Sequence, residues 1–489
     1  MPGQEHQPRR GHGDGQAEHL RQREEPGRVG VLRHLTLGHR PTLGYVWSAT
    51  KNIVIVGAGS TGLSLAAELR LAGAEVTVLE QRTERDSHSK ALTIYPRTIE
   101  VLPSRGVEQP FLAEGIPVPQ GHFAVLDDRL DFALLDTDFP ITLALLQART
   151  EELLADHACE ADADIRRGHR VTGLTEHPGE VIVAVAAAYV VGCDGTRSTV
   201  RAAAGIDFPD TSASVYGWIG DVVLTDPPSA GSYSRATADG LLLAVPLPGG
   251  LHRLAGHSPG DVRADHPGEL TLGELRAKVT AIDGRDFGMH SPAWLSRFSN
   301  ARRQATRYRR GRVLLAGDAA HTHMPAGGVG LNVGLQDAMN LGWQLGAVVR
   351  GEAPDDLLDT YHDEGHPVGA ELLEHTQAQT ALMTAFTPDG RRLRSLLSTL
   401  IAEQPTFARA LAEPLSGLSV RYPFRLLHAG RPVLLDFRDE PGPATPGAVV
   451  HHGRPLGDRP DWAALDTALI RPDGHSADVT PRGEPDQHP

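Results

Sequence analysis

The apolar positions fall into two long periodic blocks with a region of shorter runs between them. Asn52 to Val56 (NIVIV) reads as a buried parallel strand and leads into Gly57-Ala58-Gly59-Ser60-Thr61-Gly62. Leu63, Ala66, Ala67 and Leu71 then share one helical face up to Gly73, and Glu75 to Leu79 (EVTVL) predicts a second strand with Glu80 at its tip. The second block runs from Arg312 to Val349. There an apolar strand (Arg312 to Ala316) breaks at Gly317-Asp318, and a Pro/Gly loop (Pro325 to Gly330) leads into a long helix. Leu331, Leu335, Ala338, Gly342, Leu345 and Val349 form its packing face, with Gln336, Asp337 and Gln344 elsewhere. From about Gly121 the runs shorten: GHFAVL, ITLALLQ, RVTGL, VIVAVA, YGWIGDVVL and LLLAVPLP predict strands separated by Gly, Pro and Asp. Asp355 to Thr376 reads as a charged amphipathic helix.

At 489 residues the chain is long enough for two or three domains. Its formal charge of −14, with no basic cluster, excludes nucleic acid as the expected partner. No apolar run is long enough to cross a bilayer, so no membrane association is expected. Cys159 and Cys193 form no CxxC pair, which removes a redox disulfide and fits a reducing cytoplasm. Met1 to about Thr50 lacks both periodicity and the apolar core of a secretory signal. It is expected to be disordered, either as a genuine tail or as an extension upstream of the true coding start. His321-x-His323 and His362…His366 are weak metal signals; in the second pair Asp363 stands where a zinc protease needs Glu and Pro367 follows, so no metal is expected.

The first block carries a complete βαβ dinucleotide fingerprint. Gly57 makes the tight turn, Gly59 lets a pyrophosphate approach the helix N-terminus, Gly62 allows close helix–strand packing, and Glu80 would accept from ribose hydroxyls. In the second block the Asp318 carboxylate can bind a polyol, and the glycines let backbone approach a flat ligand. The helix start offers free N–H groups and a positive dipole end.

These stretches, with Arg97-Thr98-Ile99-Glu100 and YVVGCDGTRSTVR (Tyr189 to Arg201), resemble the single-component FAD-dependent aromatic hydroxylases. That family includes the para-hydroxybenzoate hydroxylase fold and the polyketide and rifampicin monooxygenases, and the resemblance runs from Lys51 to about Gly474. It implies an α/β fold: a Rossmann-like FAD domain interleaved with an antiparallel substrate sheet, plus a small, reduced thioredoxin-like C-terminal module. The implied organisation is a disordered 1–50, a first FAD-domain segment over 51–120, and a mainly middle-sheet region over 121–300 with FAD segments at 145–205. The closing FAD-domain segment and the long helix follow at 301–390, the C-terminal module at 391–475 and a disordered tail at 476–489.

By the same resemblance the FAD contacts are Gly57, Gly59, Thr61, Gly62, Glu80, Gln81, Lys90, Gln147, Val171, Asp194, Asp318, Pro325, Gly328, Gly330, Leu331 and Asn332. Asp318 would hold the ribityl chain, and Pro325 to Asn332 would lie along the isoalloxazine ring. NADPH would serve as cosubstrate, reducing the flavin, and O2 would add to give a hydroperoxide at flavin C4a that oxygenates an aromatic, polyketide-like molecule. A monomer or homodimer is expected, and no side chain is assigned as catalytic. The sequence departs from the family pattern at Lys90, where Arg is usual, at Val329, where many relatives have Gln, and at Gly365, where Arg is usual. Baeyer–Villiger oxidation, antibiotic inactivation and a non-catalytic ligand-binding role stay open. A flavin halogenase is disfavoured, since no Trp-x-Trp pair occurs.

Overall fold

A computed structural model describes residues 52–177, 180–182, 186–229, 231–419, 433–438, 448–452, 465–471 and 476–481. The expectations for 1–50, for Gly430 to Pro432, for Pro472 to Gly474 and for 482–489 lie outside these residues. Six strands form the first sheet, in the order Arg309–Arg310, Val313–Leu315, Tyr189–Gly192, Asn52–Val56, Glu75–Glu80 and Asp164–Arg167. All neighbours are parallel except the Arg309–Arg310 edge. A parallel sheet covered on both faces needs near-continuous apolar strands, which NIVIV and VLL supply.

The fingerprint helix Ser60–Leu71 lies against the long helix Gly330–Arg350 at short range, because glycines line the contact. A Cβ on Gly342 would fall 2.5 Å from Glu68 Cβ, and one on Gly346 would fall 2.4 Å from Ala72 Cβ. The long helix departs from the expected pattern, in which Gln336, Asp337 and Gln344 lie off the packing face. All three are buried, because other elements cover that side as well. Gln344 donates to Asn340 Oδ1 at 2.9 Å, and Asp337 is paired as described below.

The substrate-type sheet is antiparallel, in the order Tyr233–Ala236, Leu241–Pro246, Leu251–His257, Tyr216–Leu224 and Met289–Ser299. Trp218, Val222 and Leu254 point from one face onto Leu275, Val279 and Ile282 of the helix Leu272–Asp283. The other face turns toward the FAD-type domain.

Several elements differ from the sequence expectation. RVTGL forms no strand: Gly168, at φ +74°, ends Asp164–Arg167, and His169 N bonds back to Glu80 O at 2.8 Å. Only Gly121 of GHFAVL is in a strand (Gln120–Gly121), because Ala124 and Val125 turn left-handed at φ +52° and +50°. The amphipathic helix runs Leu357–Met383, and Gly365 is buried against the Tyr308 ring, 3.3 Å from where its Cβ would stand. At the C-terminal end a four-stranded sheet is ordered Val449–His452, Val433–Asp436, Leu465–Ile470 and Ser476–Pro481. The expected disordered tail is therefore corrected over 476–481, where backbone pairing with Leu465–Ile470 orders it. Among the described residues no helix is long and apolar enough to cross a membrane.

Candidate cofactor and substrate site

The fingerprint turn sits at the C-terminal end of the central strand, where doubly wound sheets bind their ligands. Gly57 adopts φ +107°, and a Cβ there would fall 2.3 Å from Cys193 O. At Gly62 a Cβ would fall 2.0 Å from Gly57 O, so this turn can be built only from glycine. Gly59 differs, since its Cβ position is open apart from Glu151 Oε1 at 3.8 Å. The first helical bond is Leu63 N to Gly59 O, so the Ser60, Thr61 and Gly62 amides have no intrahelical acceptor. These amides, beside an open glycine surface, suit a pyrophosphate. Glu80 accepts from Ala58 N at 2.8 Å and Arg82 N at 2.9 Å, which aims its carboxylate at the turn. Gln81 is exposed next to it.

At the second motif, Gly317 is held between two elements. Its φ is +61°, and its Cβ position lies 2.6 Å from Thr61 Oγ1, so the fingerprint helix meets the Gly-Asp turn directly. Asp337 Oδ2 accepts from Gly317 N at 2.8 Å and contacts His321 Nε2 at 2.8 Å. Burial lowers the pKa of His321, but the charge and hydrogen bond of Asp337, with Asp318 nearby, outweigh it and leave the pKa raised. Arg201, buried and stacked 3.7 Å from the Phe208 ring, donates to Ala319 O and Thr196 O and so supports the same turn. Asp318 itself is exposed, and its carboxylate has no hydrogen bond or ion pair among the described residues. Sequence reading missed the His321–Asp337 pair and the role of Arg201.

Pro325 is exposed, Gly327 and Gly328 both take positive φ, and Val329 precedes the long helix with no side-chain cap. The first helical bond is Val333 N to Val329 O, so the Gly330, Leu331 and Asn332 amides have no intrahelical acceptor. The Asn332 side chain is fully engaged: it accepts from Tyr95 N and donates to Thr93 O and Gly328 O. Tyr95 OH bonds Gly327 O, so this unassigned tyrosine fixes the loop. The remaining predicted contacts have defined settings. Gln147 Oε1 accepts from the amides of Lys90 and Ala91, and its Nε2 donates to Glu151, which also accepts from Ser60 Oγ. The Lys90 side chain is exposed, and Val171 is half-buried in a loop. Asp194 uses its carboxylate to bond the amides of Thr199 and Val200, while its backbone flanks Gly57.

The substrate-type sheet meets this domain at two crossings. Arg253, in a buried bidentate pair with Asp221 at 2.8 Å, donates to Lys90 O at 3.2 Å. Arg129, from the loop after Gly121, donates to Ser234 Oγ at 3.3 Å. Between the crossings one cross-strand row presents Ser234, Leu243, Ala255, Ile219 and Ser296, all half-buried. Gln379 accepts from Ala124 N and lies beside Gly327, so the loop after Gly121 adjoins the candidate flavin loop. Arg394 donates to Ala124 O and Val125 O and holds that left-handed turn in place. No group of three or more metal-ligating side chains occurs among the described residues.

The sequence model of the FAD binding domain family matches residues 50–376. An uncharacterised aromatic compound monooxygenase, YhjG of Bacillus subtilis (strain 168), is 47% identical over 380 residues, covering 76% of each chain. The rifampicin monooxygenase of Streptomyces venezuelae is 41% identical over 456 residues, covering 87% of this chain and 94% of its own. Among solved structures, the OxyS anhydrotetracycline hydroxylase from Streptomyces rimosus superposes with a TM-score of 0.78 at 38% identity, over 88% of this chain and 95% of its own.

Proposed function

Since the chain belongs to the FAD binding domain family, we propose from that premise that it is an FAD-dependent, NAD(P)H-consuming monooxygenase hydroxylating an aromatic, polyketide-type molecule. The observation that carries this reading is the pairing of two cradles across one packed helix contact. One is the open Gly59 surface with its unsatisfied amides; the other is the unpartnered Asp318 carboxylate with the Gly327-Gly328 loop. An elongated dinucleotide with a polyol and a flat ring fits both, so the residues present suit FAD. When bound, the cofactor supplies electron transfer from the nicotinamide and activation of O2.

The chain's own residues do the rest. The Ser60 to Gly62 amides bind the pyrophosphate, Glu80 the ribose, and Asp318 the ribityl hydroxyls. The amides of Gly330 to Asn332 put a positive helix end beside the ring, which favours negative charge there. The half-buried sheet row excludes water above it and presents the substrate. Relatives support the substrate class: they include an anhydrotetracycline monooxygenase and a rifampicin monooxygenase. The C-terminal sheet, with Val433–Asp436 between one parallel and one antiparallel neighbour, we read as a reduced thioredoxin-like module.

The test is the visible spectrum of the purified protein, followed by anaerobic NADPH with and without aromatic polyketides. Bleaching accelerated by one compound class, and a product carrying one added oxygen, is the expected result. A product with a ring expanded by oxygen would identify the Baeyer–Villiger alternative. A protein that takes up no FAD refutes the reading.

A further inference from the structure

Arg129 is anomalous for a side chain in a folded interior. It is half-buried, yet among the described residues its guanidinium makes a single hydrogen bond, to Ser234 Oγ, and has no carboxylate within ion-pair distance. The other buried arginines of this region are saturated differently: Arg253 by the Asp221 carboxylate, and Arg394 by three carbonyl oxygens. A partly desolvated cation without a partner is unfavourable unless something else pairs with it. Its neighbours do not neutralise it. His122, on the same loop, has its pKa pushed down to about 4 by burial and then by the Arg129 charge, so the imidazole is uncharged. His122 Nδ1 is buried with no hydrogen-bond partner. Asp127 is exposed and acts on Arg129 only through space, Asp128 is taken by Ser398, and Arg394 is turned onto Ala124 O and Val125 O.

The position of this cation gives it a use. Ser234 begins the half-buried row that continues through Leu243, Ala255 and Ile219 to Ser296, so the guanidinium stands at one end of a strip whose middle is apolar. The other crossing, where Arg253 of the neighbouring row donates to Lys90 O, is already neutralised by the Arg253–Asp221 ion pair. A flat polycyclic ligand laid along the strip would therefore have one charged end to address.

We propose that Arg129, bridged to Ser234 and flanked by His122, is the anion-binding end of the substrate cleft and takes a phenolate or enolate oxygen of the aromatic substrate. This rests on the monooxygenase reading and specifies it: the enzyme selects polycyclic compounds ionised at one end. Arg129 acts as a specificity-determining residue; the bond-making atoms lie elsewhere.

The test uses the FAD-loaded full chain and two probes, alizarin, a dihydroxyanthraquinone with an ionisable phenol, and anthraquinone, its non-ionisable parent. Binding is read from the perturbation of the flavin absorbance, at pH values below and above the first ionisation of alizarin. Wild type should bind alizarin more tightly as it ionises. R129Q, which can keep the Ser234 hydrogen bond, should lose roughly 10- to 100-fold of that affinity together with its pH dependence. R129K should recover some of both, and anthraquinone should bind wild type and R129Q alike. Alizarin binding that is absent, independent of its ionisation, or unchanged in R129Q overturns the proposal. Equal loss for both probes also overturns it, because that pattern means a purely structural role. FAD content is measured first: a chain that takes up no FAD sinks the monooxygenase reading itself, a different outcome from an FAD-loaded chain indifferent to Arg129.

Discussion

Replacing His321 with Asn tests whether a buried ion pair holds the turn that carries Asp318. His321 is 1% exposed and Asp337 6% exposed, and Asp337 Oδ2 receives both His321 Nε2 and Gly317 N at 2.8 Å. Without the imidazolium the carboxylate is left buried with the Gly317 amide, and breaking a buried pair from one side costs about 3–5 kcal/mol. The pH dependence has a definite sign. The folded pKa is raised above the unfolded value of 6.5, because Asp337 outweighs the burial that would lower it. The stabilisation is therefore fully present below 6.5 and is lost as pH rises through the folded pKa. Urea unfolding of wild type and H321N, with FAD at one fixed concentration, should show the largest gap below pH 6.5 and a smaller one at alkaline pH. FAD dissociation should quicken in H321N, since Gly317 N loses its rigid acceptor. A gap that is absent in acid, or that widens with rising pH, refutes the reasoning.

Three further outcomes follow from single positions. Gly59→Ala meets only Glu151 Oε1 at 3.8 Å, so apo stability should hold within ~1 kcal/mol while FAD affinity falls on the order of 10-fold; unchanged affinity would remove Gly59 from the pyrophosphate cradle. Lys90→Arg, at an exposed side chain, should tighten FAD by roughly 3- to 10-fold through a forked contact, as measured by flavin fluorescence, with no change in melting. Gly365→Arg pushes its Cβ to 3.3 Å from the Tyr308 ring and should destabilise by about 1–3 kcal/mol, read by thermal unfolding.

The two cofactor motifs were legible because each is local. Gly57, Gly59 and Gly62 lie within one turn, and Asp318 and Gly328 within one loop, so their spacing exposed the turns and the family resemblance supplied the roles proposed for them. Much of what escaped reading is distant in sequence, although the His321–Asp337 pair spans only 16 positions. Tyr95 reaches Gly327 across 232 positions, Arg394 reaches Val125 across 269, and Arg129 reaches Ser234 across 105. No periodicity can report such pairs, since each side chain looks like an ordinary surface or helix residue in its own segment. The misread strands have a physical cause as well. GHFAVL has strand-like composition, but Arg394 stabilises left-handed turns at Ala124 and Val125 that cost roughly 1–3 kcal/mol each.

The long helix Gly330–Arg350 shows why an apolar period can find a helix and still misplace its polar residues. Its apolar stripe packs, as read, and glycines on it meet the fingerprint helix, but the rest of its circumference is enclosed too, so polar side chains off the stripe must find partners inside the protein. Asp337 takes His321 and Gly317 at the turn that carries Asp318. Further along, Asn340 accepts from Gln344 and from Arg471 of the C-terminal sheet, and Arg471 also grips Glu364. One helix thus joins its own free N-terminal amides, the turn that presents Asp318 and the segment that ends the C-terminal sheet. Its polar residues are the joints between these elements, which is why they are buried.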